Sequence, residues 1–558
     1  YITPRTFGYR SLVFLVTMFI ANFYEPPRIS TTSYENILSF HKFSDLSIET
    51  FIKIALRSKN WKYVGRGERY NLPSNSRNVD EYVKEALWHY SSDIYEDLKG
   101  YTKLARPTRA YLSLLNYCRP IKFKDLTYRE NLSYTCHINT ISQSMLKSNT
   151  ISISEACGKI NLTASAGYSF PGMKKEEALP AARRIATKMY VSLVRGESVA
   201  HIPYKLGMRG HISKVDENKT RPIWVGALET NLLEIVIFKG MYDQMFDTNL
   251  FKHRFMTGKG TMERLYDYIN EGSGTTFVNT DISAFDALRA RFVIYDVFYR
   301  ILKPNIVFKP GEENVFDWLV EDFIFSSLAL PNGVIIKKTS GVPSGSYMTL
   351  LVNSLANYVM QHTILDSLGI NYFSSRILGD DFSFKVATIP QTDFNRFIDK
   401  ICLRAHELFG LIIKQEKVII TNDQDDRKFI GYQIRQGKLY RDASDYLKLV
   451  LYSEHIVQNL SQSFTRFMAA YLVGGCNSSE FVDFFEFFIS GYKVSLESYG
   501  KELTSNKALF TGSMKMLKHI HAMDVSVFQN QSLDDFRGLI HAKVPHFLVY
   551  DLPLTGIG

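Results

Sequence analysis

Three aspartates have the types and spacing to do chemistry. Asp281 closes a β-branched run, TTFVNTDI, and far downstream Asp380 and Asp381 follow Gly379 in ILGDDFSF. If the two segments are neighbouring strands, their carboxylates converge at one sheet edge. Clustered carboxylates raise one another's pKa and oppose ionisation. A bound Mg²⁺ relieves that repulsion, because a hard cation takes carboxylate oxygens together with phosphate oxygens. Two such ions about 3.5–4 Å apart stabilise both the attacking and the leaving oxygen in phosphoryl transfer. Read alone, Gly-Asp-Asp is a plain turn and an acid at a strand end is commonplace, so the surroundings must carry the argument.

The surroundings include a glycine-serine loop, SGVPSGSYMTLLVNSLAN, over residues 340–357. Pro343 stiffens it, and Gly341 and Gly345 permit backbone angles other residues avoid. In the helix that follows, Thr349, Asn353 and Asn357 recur at i, i+4 and i+8 and share one face. That stripe is either a solvated face or a set of groups that, with Ser344, hydrogen-bond a ribose 2′-OH. Asp286, five residues after Asp281, is an acceptor that could complete the network.

These groups need elements to hold them. Residues 275–282 read as a strand, 287–303 as a helix ended by Pro304, and 346–365 as a helix. Residues 373–387 read as two short strands about the acidic turn. A helix over 392–409, a strand over 411–420 and a hairpin over 428–440 follow, and the chain after 445 is mostly helical. Upstream, 58–78 reads as loops, 174–197 as a helix interrupted by Pro180, and 224–246 as a long amphipathic helix. Strands and helices in this order form a compact α+β layer between mostly helical flanks.

Composition agrees with a large folded enzyme. The chain has 558 residues, 45% hydrophobic and 22% charged, which excludes a disordered, collagenous or disulfide-scaffold protein. Lys+Arg of 66 against Asp+Glu of 56 gives +10, an excess suited to a protein that touches phosphate without being coated in it. Five cysteines without CxxC spacing favour a reducing compartment and argue against a structural zinc site. The apolar run Leu12–Tyr24 is short for a bilayer span and is read as a buried helix, with a signal peptide as the competitor. The uneven cysteines and an NKT sequon at Asn218, inside a functional segment, weigh against export. The chain opens on Tyr1 rather than Met, which leaves room for preceding sequence.

The ordered set of segments resembles the viral RNA-dependent RNA polymerases. Asp281-Ile-Ser-Ala-Phe-Asp286 is similar to motif A, Ser340–Gly345 with Thr349 and Asn353 to motif B, and Leu378–Asp381 to motif C. Thr163–Tyr168 resembles motif G and Lys219-Thr-Arg221-Pro222 motif F. Phe409–Lys417 resembles motif D and Phe429–Tyr432 motif E. Motifs A, B and C stand in the usual order, and the resemblance runs over about 160–440. GVPSGSYMT, LGDD and FIGYQIRQGK are most like the partitivirus group, with picobirnaviruses close by; both are small double-stranded RNA viruses. One departure is Phe382, where a small polar residue is usual; it should affect strand packing more than metal ligation.

The resemblance implies an α+β right hand with an antiparallel palm sheet. Residues 1–119 would bridge fingers and thumb. The fingers would be 120–274 and 304–339, the palm 275–303 and 340–440, and the thumb 441–558. It implies RNA synthesis from NTPs on an RNA template, for genome replication and transcription. Asp281, Asp380 and Asp381 would hold two Mg²⁺ ions, with Mn²⁺ able to substitute. Lys219 and Arg221 would meet the triphosphate, and Asp286, Ser344, Thr349 and Asn353 would check the sugar. Lys417 would be the general acid for pyrophosphate, with Lys414 its competitor. Ser165, Gly167 and Tyr168 would guide the template, Gly341 and Gly345 would shape the RNA-facing loop, and Gly431 and Tyr432 would support the growing end. Implied partners are template and nascent RNA and the capsid protein, with no membrane and no DNA, in the virion interior and host cytoplasm. A reverse transcriptase is disfavoured because Asn353 and Asp286 suit ribose selection. A packaging protein that has lost activity is disfavoured by the three intact aspartates.

Overall fold

The computed structural model describes residues 46–492 except 73–78, 120–123, 248–253, 257–260, 273, 289, 454–455 and 473. The run Leu12–Tyr24 lies outside the described residues. No helix among the described residues is long and apolar enough to cross a membrane.

Two sheets organise the chain. The first is wholly antiparallel, with strands in the order Tyr372–Leu378, Asp381–Ala387, Thr275–Thr280 and Ile419–Thr421. Strand Asp381–Ala387 buries Phe382, Phe384 and Val386 on one face and Ser383 and Lys385 on the other. Helix Thr349–Ser367 packs against helices Tyr128–Ser144 and Phe394–Phe409 and shares the main core with the sheet. Phe382 is fully buried, stacks on Phe384 at 5.3 Å and meets His362 edge-on at 5.7 Å. The aromatic residue where a small polar one is usual therefore fills core space.

The second sheet has five strands in the order Trp61–Arg66, Val334–Lys338, Ser327–Ala329, Tyr204–Gly210 and Thr220–Val225. Its first strand corrects the loop reading of 58–78 over Trp61–Arg66, while 67–72 is irregular and 73–78 lies outside the described residues. Polar KYVGR shows no strand alternation, yet Trp61 is buried and stacks on Trp224 at 5.9 Å, pinning the segment to the sheet edge. Such a stacked pair is worth about 0.5–1.5 kcal/mol beyond its buried area. Residues 79–99 pack against the helices within Ala443–Tyr492. There Arg466 donates to Asp80 at 2.7 Å and the Tyr452 hydroxyl donates to the Leu98 carbonyl at 2.7 Å.

Other boundaries shift for local reasons. Helix Lys175–Val194 runs through Pro180 without interruption; the proline removes one early N–H while Ala178, Ala182 and Ala186 bury the helix face. The expected helix over 224–246 begins at Leu228, because Thr220–Val225 is a strand, and its first turns are buried on every side rather than amphipathic. The helix expected from 287 begins at Arg291 and passes into a π-turn over Val297–Leu302. The strand expected over 411–420 is reduced to Ile419–Thr421, preceded by a 3₁₀ turn over Gln415–Lys417.

Candidate active site

The sheet register brings the acids together. Thr280 pairs with Phe382, so Asp281 and Asp381 leave adjacent strands side by side. Gly379, at φ +60°, makes the turn that presents Asp380 between Leu378 and Asp381, which are themselves paired. Burial pushes the Asp381 carboxyl up to about 6, with Asp380 and Asp281 adding to the rise and Arg221 opposing it. Asp380 reaches solvent, but solvent hemmed in by protein, and that poor hydration raises its carboxyl; Arg221 lowers it and Asp281 raises it. The crowding of like charge expected from the sequence is present.

The glycine-serine loop leads into a helix that holds both acid segments. Asn353 donates through Nδ2 to Asp286 at 3.0 Å. One turn on, Asn357 donates to the Gly379 carbonyl at 3.0 Å, while the Ser354 hydroxyl accepts the Gly379 N–H at 3.0 Å. The polar stripe is thus not a solvated face: Leu351 to Leu365 is buried throughout. The stripe is also divided, since Asn353 serves motif A and Asn357 the motif C turn. Thr349 donates to Pro343 within its own loop at 2.6 Å, and Ser344 accepts the Trp224 N–H at 3.2 Å. Burial pushes the Asp286 carboxyl up to about 6, with the Asn353 bond lowering it and Asp380 raising it. Asn353 Oδ1 and Asn357 Oδ1 are buried acceptors with no hydrogen-bond partner among the described residues.

The loop is fitted to its neighbours. A Cβ at Gly345 would stand 1.7 Å from the Trp224 carbonyl oxygen, and one at Gly341 2.6 Å from the Tyr117 ring. Tyr117 donates to the Val342 carbonyl at 2.9 Å, and buried Lys338 donates to the Gly341 carbonyl at 2.8 Å. Tyr117, Lys338 and Trp224 belong to no motif segment, so nothing in the sequence marked them.

The basic residues approach from two sides. Arg221 lies directly opposite Arg209 in the Tyr204–Gly210/Thr220–Val225 pair, and its charge reaches Asp286, Asp380 and Asp381. Lys219 is exposed and faces Glu217 at 3.6 Å, and its charge is felt by Lys414. Lys417 forms an ion pair with Asp281 at 2.9 Å, whereas Lys414 meets Asp281 through its backbone N–H at 3.1 Å. Burial lowers the Lys414 pKa, and Lys417 lowers it further. If Lys417 is the general acid that the resemblance implies, Lys417→Ala should slow nucleotide incorporation by roughly 10²-fold and Lys414→Ala by several-fold less. Single-turnover incorporation measures both, and the reverse order reassigns the acid.

The remaining candidates divide. Gly167, at φ +90°, packs against the Gly226 carbonyl, and a Cβ there would come within 2.6 Å of it. Ser165 accepts the Gly167 N–H at 3.3 Å, and the Tyr168 hydroxyl abuts Gly67, just past strand Trp61–Arg66. Gly431 sits in a tight turn at φ +83° beside Arg441. Tyr432 is buried, 8% exposed, in a core it shares with Val83, Leu98, Leu265, Phe277, Tyr446 and Phe481, so its side chain is taken up by packing.

The donor set suits a hard cation. Among the described residues no three His, Cys, Asp or Glu side chains close into a ready-made cage. Mg²⁺ needs none, because it keeps waters and binds through one or two carboxylates plus substrate phosphates. Adjacent carboxylates under mutual repulsion, with Arg221 beside them, meet that requirement.

Sheet, acid turn and flanking helices define the right-hand polymerase fold. The solved RNA-dependent RNA polymerase of a human picobirnavirus superposes with a TM-score of 0.55 over 89% of this chain and 98% of that one, at 16% identity. A family model described as viral RNA-dependent RNA polymerase matches residues 75–489, and the chain belongs to that family. Partitivirus-like relatives include the RNA-directed RNA polymerase of White clover cryptic virus 1, 25% identical over 41% of this chain and 42% of that protein. That of Cryptosporidium parvum virus 1 is 26% identical over 45% and 49%. The chain thus matches less than half the length of either relative.

Proposed function

We propose that this chain is the RNA-dependent RNA polymerase of a small double-stranded RNA virus, copying an RNA template from NTPs for replication and transcription. The observation that carries the reading is the meeting of Asp281 with Asp381 at adjacent strand ends, within reach of Arg221's charge. Mg²⁺, or Mn²⁺ in its place, would be held by Asp281, Asp380 and Asp381, and when bound as a pair it supplies charge stabilisation at the attacking and leaving oxygens.

The chain's own residues do the rest, and in phosphoryl transfer that work is positioning and electrostatics. Arg221 offers a planar fork to triphosphate oxygens, and Lys219 adds a point charge. Opposed arginines on a ladder repel, and a phosphate between Arg209 and Arg221 would turn that repulsion into binding. Asp286 and Asn353 stand ready for the sugar; the unpartnered Asn353 Oδ1 is an acceptor for a 2′-OH. Ser344 and Thr349 keep the loop in place beside them. Lys417 gives its proton to pyrophosphate as that group leaves. Ser165, Gly167 and Tyr168 line the template's approach, and the Gly341 and Gly345 loop faces the RNA. The division into fingers, palm and thumb given above belongs to the same proposal. So do the capsid protein as a partner and the virion interior and host cytoplasm as places of work.

The test is direct. Purified protein with single-stranded RNA, the four NTPs and Mg²⁺ should yield complementary RNA and prefer ribo- to deoxynucleotides by roughly 10²-fold or more. Preference for dNTPs would make it a reverse transcriptase, and absence of product would favour a packaging role.

A further inference from the structure

Glu234 lies in helix Leu228–Asp247, outside every motif, yet it grips the glycine-serine loop. Its carboxylate is 1% exposed and accepts three hydrogen bonds: from the Ser346 hydroxyl at 2.5 Å, the Tyr347 N–H at 2.9 Å and Asn231 Nδ2 at 2.8 Å. Asn231 Oδ1 in turn accepts from Lys175 at 3.0 Å, and the Lys175 N–H donates to the Ala164 carbonyl in the motif G segment. The Ser346 hydroxyl also accepts the Met348 N–H at 3.1 Å, so the bonds on Glu234 continue to the first turn of the helix that carries Asn353. A carboxylate in the interior is costly unless its oxygens are satisfied. Here two of the three donors come from one loop, so stabilising the charge and fixing the loop are the same act. Lys338 holds the other end of the loop at Gly341.

We propose that Glu234 is a positioning residue for sugar selection: it sets the 344–353 segment against the incoming nucleotide and couples it to the template-side segment through Asn231 and Lys175. The inference rests on the polymerase reading for its consequence, but not for the clamp itself. Glu234→Gln keeps the size of the side chain but removes its charge, and with the amide oxygen left to accept from Tyr347 and Asn231 the Ser346 hydroxyl must turn to accept from Nε2, so its charge-assisted bond to the loop is lost.

Two measurements separate the parts. Amide exchange of the isolated protein over 341–349 should quicken about tenfold in Glu234→Gln, as expected for one charge-assisted bond lost. The ribo- to deoxynucleotide kcat/KM ratio should fall about tenfold, through a raised KM for the ribonucleotide with kcat changed less than threefold. Glu312→Gln is the control for a merely structural role. Glu312 is equally buried and accepts from Thr150 and Tyr190 but does not touch the loop, so its ratio should stay at the wild-type value. Ser346→Ala, which removes one donor, should shift exchange and ratio the same way by about threefold, and decides the matter if Glu234→Gln does not fold. Unchanged loop exchange, an unchanged ratio, or an equal shift in Glu312→Gln would each overturn the proposal. A wild-type protein that makes no RNA would sink the polymerase reading instead, with the exchange result still deciding the clamp.

Discussion

Replacing both Asp380 and Asp381 by Asn should reduce RNA synthesis by at least ~10³-fold, since one preorganised charge alone commonly accounts for 10²–10³. RNA binding, measured by filter retention without nucleotide, should stay within about twofold of wild type, because backbone affinity comes from Lys and Arg. The substitution keeps side-chain volume and removes two negative charges from a crowded site where burial, and then Asp380 and Asp281, already push the Asp381 carboxyl up. Thermal unfolding in chelator should therefore not fall. That combination, lost synthesis with intact folding and binding, distinguishes a cation site from an acidic turn. Undiminished synthesis in the double variant would end the assignment of these acids.

Gly345→Ala should have the second largest effect, for a different reason. The added methyl would meet the Trp224 carbonyl oxygen at 1.7 Å and its carbon at 2.8 Å, backbone atoms of a paired strand that cannot step aside. Trp224 is also held by Trp61 behind it, at 5.9 Å. The loop must yield, taking with it Ser344 and the start of the Asn353 helix. A displacement of about 1 Å in positioning groups costs on the order of 10²-fold in rate. Synthesis should drop by that amount, with nucleotide KM raised and the protein still folded by circular dichroism. Gly65→Ala is the matched control: a Cβ there meets nothing within 4 Å, and its activity should be near wild type. Equal behaviour of the two variants would show that the close approach of loop and strand is unimportant.

Some parts of this molecule are written locally. TTFVNTDI and ILGDDFSF each contain their own strand and their own reason to turn, so the acids and the elements presenting them were legible from neighbouring residues. The same holds for Gly341, Gly345 and the helix after them, where spacing alone places Asn353 and Asn357 on one face. The right-hand fold and the polymerase family were legible too, because the segments stand in a recognisable order.

Other parts depend on which distant segment arrives alongside. KYVGR has no strand signal, yet it is a strand because Val334–Lys338 offers an edge and Trp224 a stacking partner. Tyr432 sits in a hairpin in the sequence, but its ring is buried in a core that Leu98, Leu265 and Phe277 share with Tyr446 and Phe481. Asn353 and Asn357 share a stripe in sequence, but only packing sends one to Asp286 and the other to Gly379. Glu234, Lys338 and Tyr117 are ordinary residues of a helix, a strand and a short turn, and become loop anchors once burial forces their polar atoms to find partners. The division has a physical cause. Backbone geometry and side-chain period are set by residues a few positions apart, whereas a buried polar group must satisfy itself from whatever the tertiary fold brings within about 3 Å.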